Sequence, residues 1–100
     1  MHGHRIELGD IETNLLSLPG VRDGVIVPKL KDDRAEWLAA FVILSERPTD
    51  SEFEVSRILR SRLAERLPAY MLPRKFYFLP AFPLTPNGKI DRLKLAEMIE

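Results

Sequence analysis

The stretch "EWLAAFVILS", residues 36–45, restricts the possible folds more than any other part of the chain. Every residue from 37 to 44 is apolar. A strand with one solvated face alternates apolar and polar residues, whereas a strand covered on both faces reads as a continuous apolar run. This run falls well short of the ~18 residues that cross a membrane, and it reads as a strand buried on both faces. Upstream, "VRDGVIVPKL" at 21–30 is β-branched with Val25 and Val27 alternating, which predicts a second strand. The charged "KDDR" between them, residues 31–34, reads as a hairpin loop.

Helical spacing surrounds these strands. In "GDIETNLLSLPG", residues 9–20, Ile11, Leu15, Leu16 and Leu18 fall on one face, with Asp10 as a candidate cap and Pro19-Gly20 as a stop. In "TDSEFEVSRILRSRLAERLP", residues 49–68, Ser51 and Glu54 match a capping box, and Val55, Ile58, Leu59, Leu63 and Leu67 recur at helical spacing until Pro68. Pro73 bars a helix through "YMLPRKFYFLP", but residues 75–79 fit a third strand with Phe76 and Phe78 on one face. A last helix is expected from about Asp91, with Leu95, Ala96 and Ile99 inward. Trp37 and the phenylalanines are assigned to the core. The order α-β-β-α-β-α predicts a small α+β domain, a sheet of about three strands packed by helices.

Composition narrows the function classes. The 100 residues suit one domain, and 15 basic against 15 acidic residues give no footprint for nucleic acid or an anionic membrane. The absence of cysteine excludes a disulfide framework, a thiolate metal site and a cysteine nucleophile. His2 and His4 would share one side of a strand, but without a third ligand no metal site is expected. "MHGHRIELGD" lacks the apolar core of a signal peptide, and a cytoplasmic location is expected.

Residues 83–92, "PLTPNGKIDR", carry the chemistry worth weighing. Asn87-Gly88 predicts a tight turn in which both residues tolerate positive φ, with Lys89 lifted onto its exposed tip. Read from its neighbours alone, Lys89 is either a solvated turn residue or a cation presented for catalysis. Asp91 reads as a helix cap and Arg92 as a surface charge.

Three separated stretches bear on that choice: "GHRIELGDIE" at 3–12, "LPAYMLPRKF" at 67–76 and "PLTPNGKIDR". Together they resemble the C-terminal subdomain of adenylate-forming enzymes, the superfamily of acyl-CoA synthetases and peptide-synthetase adenylation domains. Within it they look most like the D-alanyl carrier protein ligases, with peptide-synthetase adenylation domains a close second. The resemblance implies that Lys89 matches the lysine that enters the ATP site during adenylation, with Asn87 and Gly88 shaping its turn. It places Gly3, Arg5 and Glu7 on a loop that faces the active site in a second conformation, where a pantetheine thiol attacks the acyl-adenylate. Alternation alone would make Arg5 and Glu7 the solvated side of a short strand. Glu12 reads as an acid favoured by the helix dipole, and Tyr70 with Pro68 and Pro73 as residues that fix the chain path.

The activity so implied is ATP-dependent activation of a carboxylate, D-alanine or another amino acid, with Mg²⁺, followed by transfer to a carrier-protein pantetheine or to CoA. The chain has no Gly-rich phosphate loop. An N-terminal domain holding ATP and the substrate is therefore expected outside it, and the isolated chain is expected to be inactive. The competing reading is an autonomous carrier-protein-binding module without catalytic activity.

Overall fold

The computed structural model describes residues 8–32, 34–46 and 51–99. Strands β1 (Val21–Lys31) and β2 (Arg34–Leu44) pair antiparallel, with Lys31 opposite Arg34, so the hairpin loop falls at "KDDR" as expected. Asp32 takes φ 53° there, a left-handed conformation that an aspartate tolerates better than most residues. Strand β3 (Lys75–Phe78) runs parallel to the other side of β2, and the Leu79 N–H extends the pairing by donating to Val42 O at 3.0 Å. The sheet order β1-β2-β3 makes the apolar run the central strand.

Successive residues of β2 point to opposite faces, and each face has its own core. Leu38, Ala40 and Val42 join Ile11, Leu15, Ile26, Leu59 and Leu63 in one buried cluster, with Phe76 and Phe78 packed against it. Ala39 and Phe41 join Val25, Val27, Leu95 and Ile99 in the other, where Tyr77 stacks on Phe41 at 4.9 Å between ring centroids. Helices α1 (Leu8–Leu16) and α2 (Glu52–Ala64) thus cover one face, and α3 (Arg92–Glu97) the opposite one. Three helices on a three-stranded sheet in the order α-β-β-α-β-α realise the expected α+β class, with a 3₁₀ turn at Ala69–Met71 added.

The helix ends differ from expectation in instructive ways. Helix α1 begins at Leu8, so Asp10 sits inside its first turn and is not the cap. Ser51 does cap α2, its hydroxyl accepting from the Glu54 N–H at 3.2 Å, while the Glu54 carboxylate turns to Arg57 at 2.9 Å. That hydrogen bond, and then the carboxylate's charge, raise the Arg57 pKa above its ordinary value. Helix α2 stops at Ala64, and Leu67 is reached through a turn whose N–H donates to Leu63 O.

Some residues expected inward are not. Leu16 and Ile58 are 45% and 40% exposed, at the margins of their helical stripes, and Phe53 is 74% exposed in the first turn of α2. Trp37 is only half-buried, packed against the second cluster, with Arg74 and Lys75 each 5.7 Å from its ring centroid, within cation–π range. Helix α3 ends at Glu97, yet Leu95 and Ile99 are buried and Ala96 packs beside them, as the spacing predicted.

Candidate functional site

The segment 83–92 forms a small hairpin ahead of α3. Leu84 and Ile90 bridge antiparallel, and the Asp91 N–H donates to Pro83 O at 2.8 Å. Thr85 closes the tip three times over. Its N–H donates to Lys89 O at 2.7 Å, its carbonyl accepts from the Gly88 N–H at 2.9 Å, and its hydroxyl accepts from the Lys89 N–H at 3.2 Å. The turn therefore centres on Pro86 and Asn87, with Gly88 at φ +83° directly after it. Asn87 tolerates positive φ but does not take it here. Pro86, fixed near φ −65°, favours a turn whose first two residues stay at negative φ, and the reversal is completed by Gly88 alone.

Lys89 lies just past the tip. Its backbone is held on both sides by Thr85, while its side chain is exposed. This is an exposed cationic stem on a hydrogen-bonded base. Ile90 packs into the cluster beneath α3, and Asp91 caps that helix by accepting from the Lys94 N–H at 3.2 Å. The expected cap role of Asp91 is realised.

Arg92 departs from its reading as a surface charge. Its Nη1 donates to Glu12 Oε2 at 3.1 Å and to Ile26 O at 3.1 Å. Glu12 departs from the helix-dipole reading too, since Asp10 is the acid of the first turn and Glu12 Oε2 accepts from the Ile26 N–H at 2.8 Å. Both residues were visible as charges. Their meeting was not, because they stand 80 positions apart.

Two cavities, of about 370 and 410 Å³, share Arg22, Ile43 and Pro80, and the smaller also touches Leu84 and Ile90. A third, of about 320 Å³, lies along α2 between Arg57 and Glu65. Lys89 lines none of the three. The described residues thus offer an exposed cation, and no cavity among these would hold a nucleotide against it.

The family model described as the AMP-binding enzyme C-terminal domain matches residues 10–89, from α1 to the lysine itself. The chain belongs to that family. A D-alanine--D-alanyl carrier protein ligase of Listeria innocua is 45% identical over 95 residues, which are 95% of this chain and 19% of the relative. A solved acyl-CoA synthetase of Brucella canis superposes with a TM-score of 0.79 at 34% identity, over 95% of this chain and 17% of that one. An anthranilate CoA ligase solved in complex with anthranoyl-AMP gives a TM-score of 0.77 at 28% identity, over 97% of this chain and 19% of that one. This AMP-binding enzyme C-terminal domain spans about a fifth of the length of such relatives.

Gly3, Arg5 and Glu7, the residues assigned to the thioester-forming face, lie outside the described residues, as do His2 and His4. Among the described residues there is no cluster of three or more metal-ligating side chains, and no helix is long and apolar enough to cross a membrane. Tyr70 follows Pro68 in the 3₁₀ turn, and Pro73 beyond it is fully buried.

Proposed function

We propose that this chain is the mobile C-terminal subdomain of an ATP-dependent ligase. The complete enzyme activates a carboxylate, D-alanine or another amino acid, as an acyl-adenylate, and passes the acyl group to the pantetheine thiol of a carrier protein in the cytoplasm. The observation that carries this reading is Lys89, an exposed cation on a turn clamped by Thr85, at the end of the span that matches the family. The D-alanine--D-alanyl carrier protein ligases among its relatives favour the amino-acid substrate and the carrier over CoA.

The residues present fit ATP in one respect only. An ammonium that faces outward suits a nucleotide held by another domain, and no cavity described above would hold one beside it. An N-terminal domain of the same enzyme then binds ATP with Mg²⁺ and the substrate. ATP supplies the α-phosphate to which the carboxylate oxygen bonds as pyrophosphate leaves. The part played by Lys89 is electrostatic. Two anionic groups must approach each other, and a cation between them offsets the repulsion. At ~4 Å and an effective dielectric near ~20, one such contact is worth about 4 kcal/mol, or about three decades in rate if it is realised only in the transition state. Gly3, Arg5 and Glu7 serve the second half-reaction, after the subdomain has turned.

The test separates the half-reactions in the complete enzyme. Lys89→Ala is expected to slow adenylation by about two to three decades, while thioester formation from supplied acyl-adenylate stays near normal. Lys89→Arg recovers only part of the rate, because a planar guanidinium does not reproduce a compact ammonium. Glu7→Lys has the opposite signature, slowing acyl transfer more than adenylation. Adenylation by Lys89→Ala within about twofold of the parent would return the lysine to a solvated turn.

A further inference from the structure

Helices α1 and α3 lie on opposite faces of the sheet, yet a side chain from each reaches the same backbone residue at the outer side of β1. Glu12 Oε2 accepts from the Ile26 N–H at 2.8 Å. Arg92 Nη1 donates to Ile26 O and to Glu12 Oε2, both at 3.1 Å, and Arg92 Nη2 approaches Glu12 Oε1 at 3.5 Å. The three residues close a ring that wraps the strand edge. We infer that this ring is a clasp in which Glu12 and Arg92 act as positioning residues for Lys89.

The inference rests on the catalytic reading of Lys89, and it follows from what lies between the lysine and the arginine. Lys89 is tied to Thr85, Asp91 is tied to Pro83 by its N–H and to Lys94 by its carboxylate, and Arg92 opens α3. Hairpin and helix are one connected piece. That piece meets the sheet through Ile90, Leu95, Ala96 and Ile99. A helix of six residues is too short to be stable by itself. Apolar contact is non-directional and permits rocking, whereas a forked guanidinium held by a carboxylate and a carbonyl does not. Arg92 is 51% exposed and Leu93 80% exposed, so the clasp side of α3 contributes little to the core. Its loss is expected to move the lysine more than it unfolds the chain.

The polarity of Ile26 sharpens the case. Its N–H needs an acceptor and its carbonyl a donor, and Glu12 and Arg92 meet those needs in one arrangement only. Arg92→Lys supplies a single ammonium where two acceptors are now served by a fork, and it should retain part of the effect.

The experiment compares Arg92→Ala, Arg92→Lys, Glu12→Gln, Lys89→Ala and the double variant Lys89→Ala/Arg92→Ala in the complete ligase, with folding followed by thermal melting. For Arg92→Ala, kcat of adenylation is expected to fall about 10- to 100-fold, the range for a reacting group displaced by about an ångström. KM for ATP and for the amino acid, and thioester formation from supplied acyl-adenylate, should each stay within about twofold, and Arg92→Lys should be slowed less. The double variant should adenylate as slowly as Lys89→Ala and no slower, because a clasp that acts through the lysine has nothing left to position. Should Arg92→Ala not fold, Arg92→Lys and Glu12→Gln carry the same comparison. Multiplying effects in the double variant, equal slowing of both half-reactions, or normal adenylation by Arg92→Ala beside a slow Lys89→Ala would each overturn the clasp and leave the catalytic lysine standing. Normal adenylation by Lys89→Ala would overturn both.

Discussion

At Gly88 the backbone takes φ +83°, and a Cβ built there meets nothing within 4 Å. The site is therefore open in space and closed in conformation. Gly88→Ala is expected to cost about 1 kcal/mol, the penalty for placing an L-residue in the left-handed region. It should lower the melting temperature of the chain slightly, and it should slow adenylation by the complete enzyme several-fold by tilting the base of Lys89. Unchanged adenylation would mean that the turn need not be held as the hydrogen bonds of Thr85 hold it. The turn that carries the lysine was legible in the sequence because proline, asparagine and glycine announce it through local chemistry. Asn87 does not use the positive φ it tolerates, because the turn is centred on Pro86 and Asn87 and Gly88 completes the reversal. The role of Arg92 was illegible for a deeper reason. Its partners are a carboxylate 80 positions away and the backbone of Ile26, and a backbone amide looks the same in every sequence.

Among the elements, α1 and β1 pack with little spare room. A Cβ at Gly24 would stand 2.5 Å from Leu15 Cδ2, and Leu15 is fully buried. Gly24→Ala thus forces Leu15 out of its place, and overpacking of this kind typically costs about 1–3 kcal/mol. Denaturant unfolding of the chain should show the loss, and adding Leu15→Ala should relieve part of it. A stability equal to the parent would show that Leu15 repacks freely. The strands were readable because burial writes directly on them: the apolar run of β2 states that both faces are covered, and alternating cores on Ala39, Ala40 and Phe41 are the structural form of that statement. Helix ends were less readable. Asp10 has the chemistry of a cap, but the helix starts at Leu8, ahead of it. Phe53 is large and apolar, so residue type alone assigns it to the core, yet it stands in the first turn of α2 outside the stripe of Leu59 and Leu63 and is exposed.

For the whole molecule, two separate cores cover the two faces of a sheet of three strands. The isolated chain should melt cooperatively and yet show no ATP-pyrophosphate exchange, since a lysine without a held nucleotide provides charge but no orientation. Measurable exchange by the purified 100 residues would overturn that expectation. Among the described residues, the outer side of β1 has no strand beside it, and an open edge next to an apolar run such as Val25-Ile26-Val27 invites the strands of other molecules to add on. At Ile26 both backbone groups are already occupied, by a carboxylate and a guanidinium. An incoming strand would find its hydrogen bonds blocked in the middle of β1, where Glu12 and Arg92 leave no free backbone group at Ile26 to pair with.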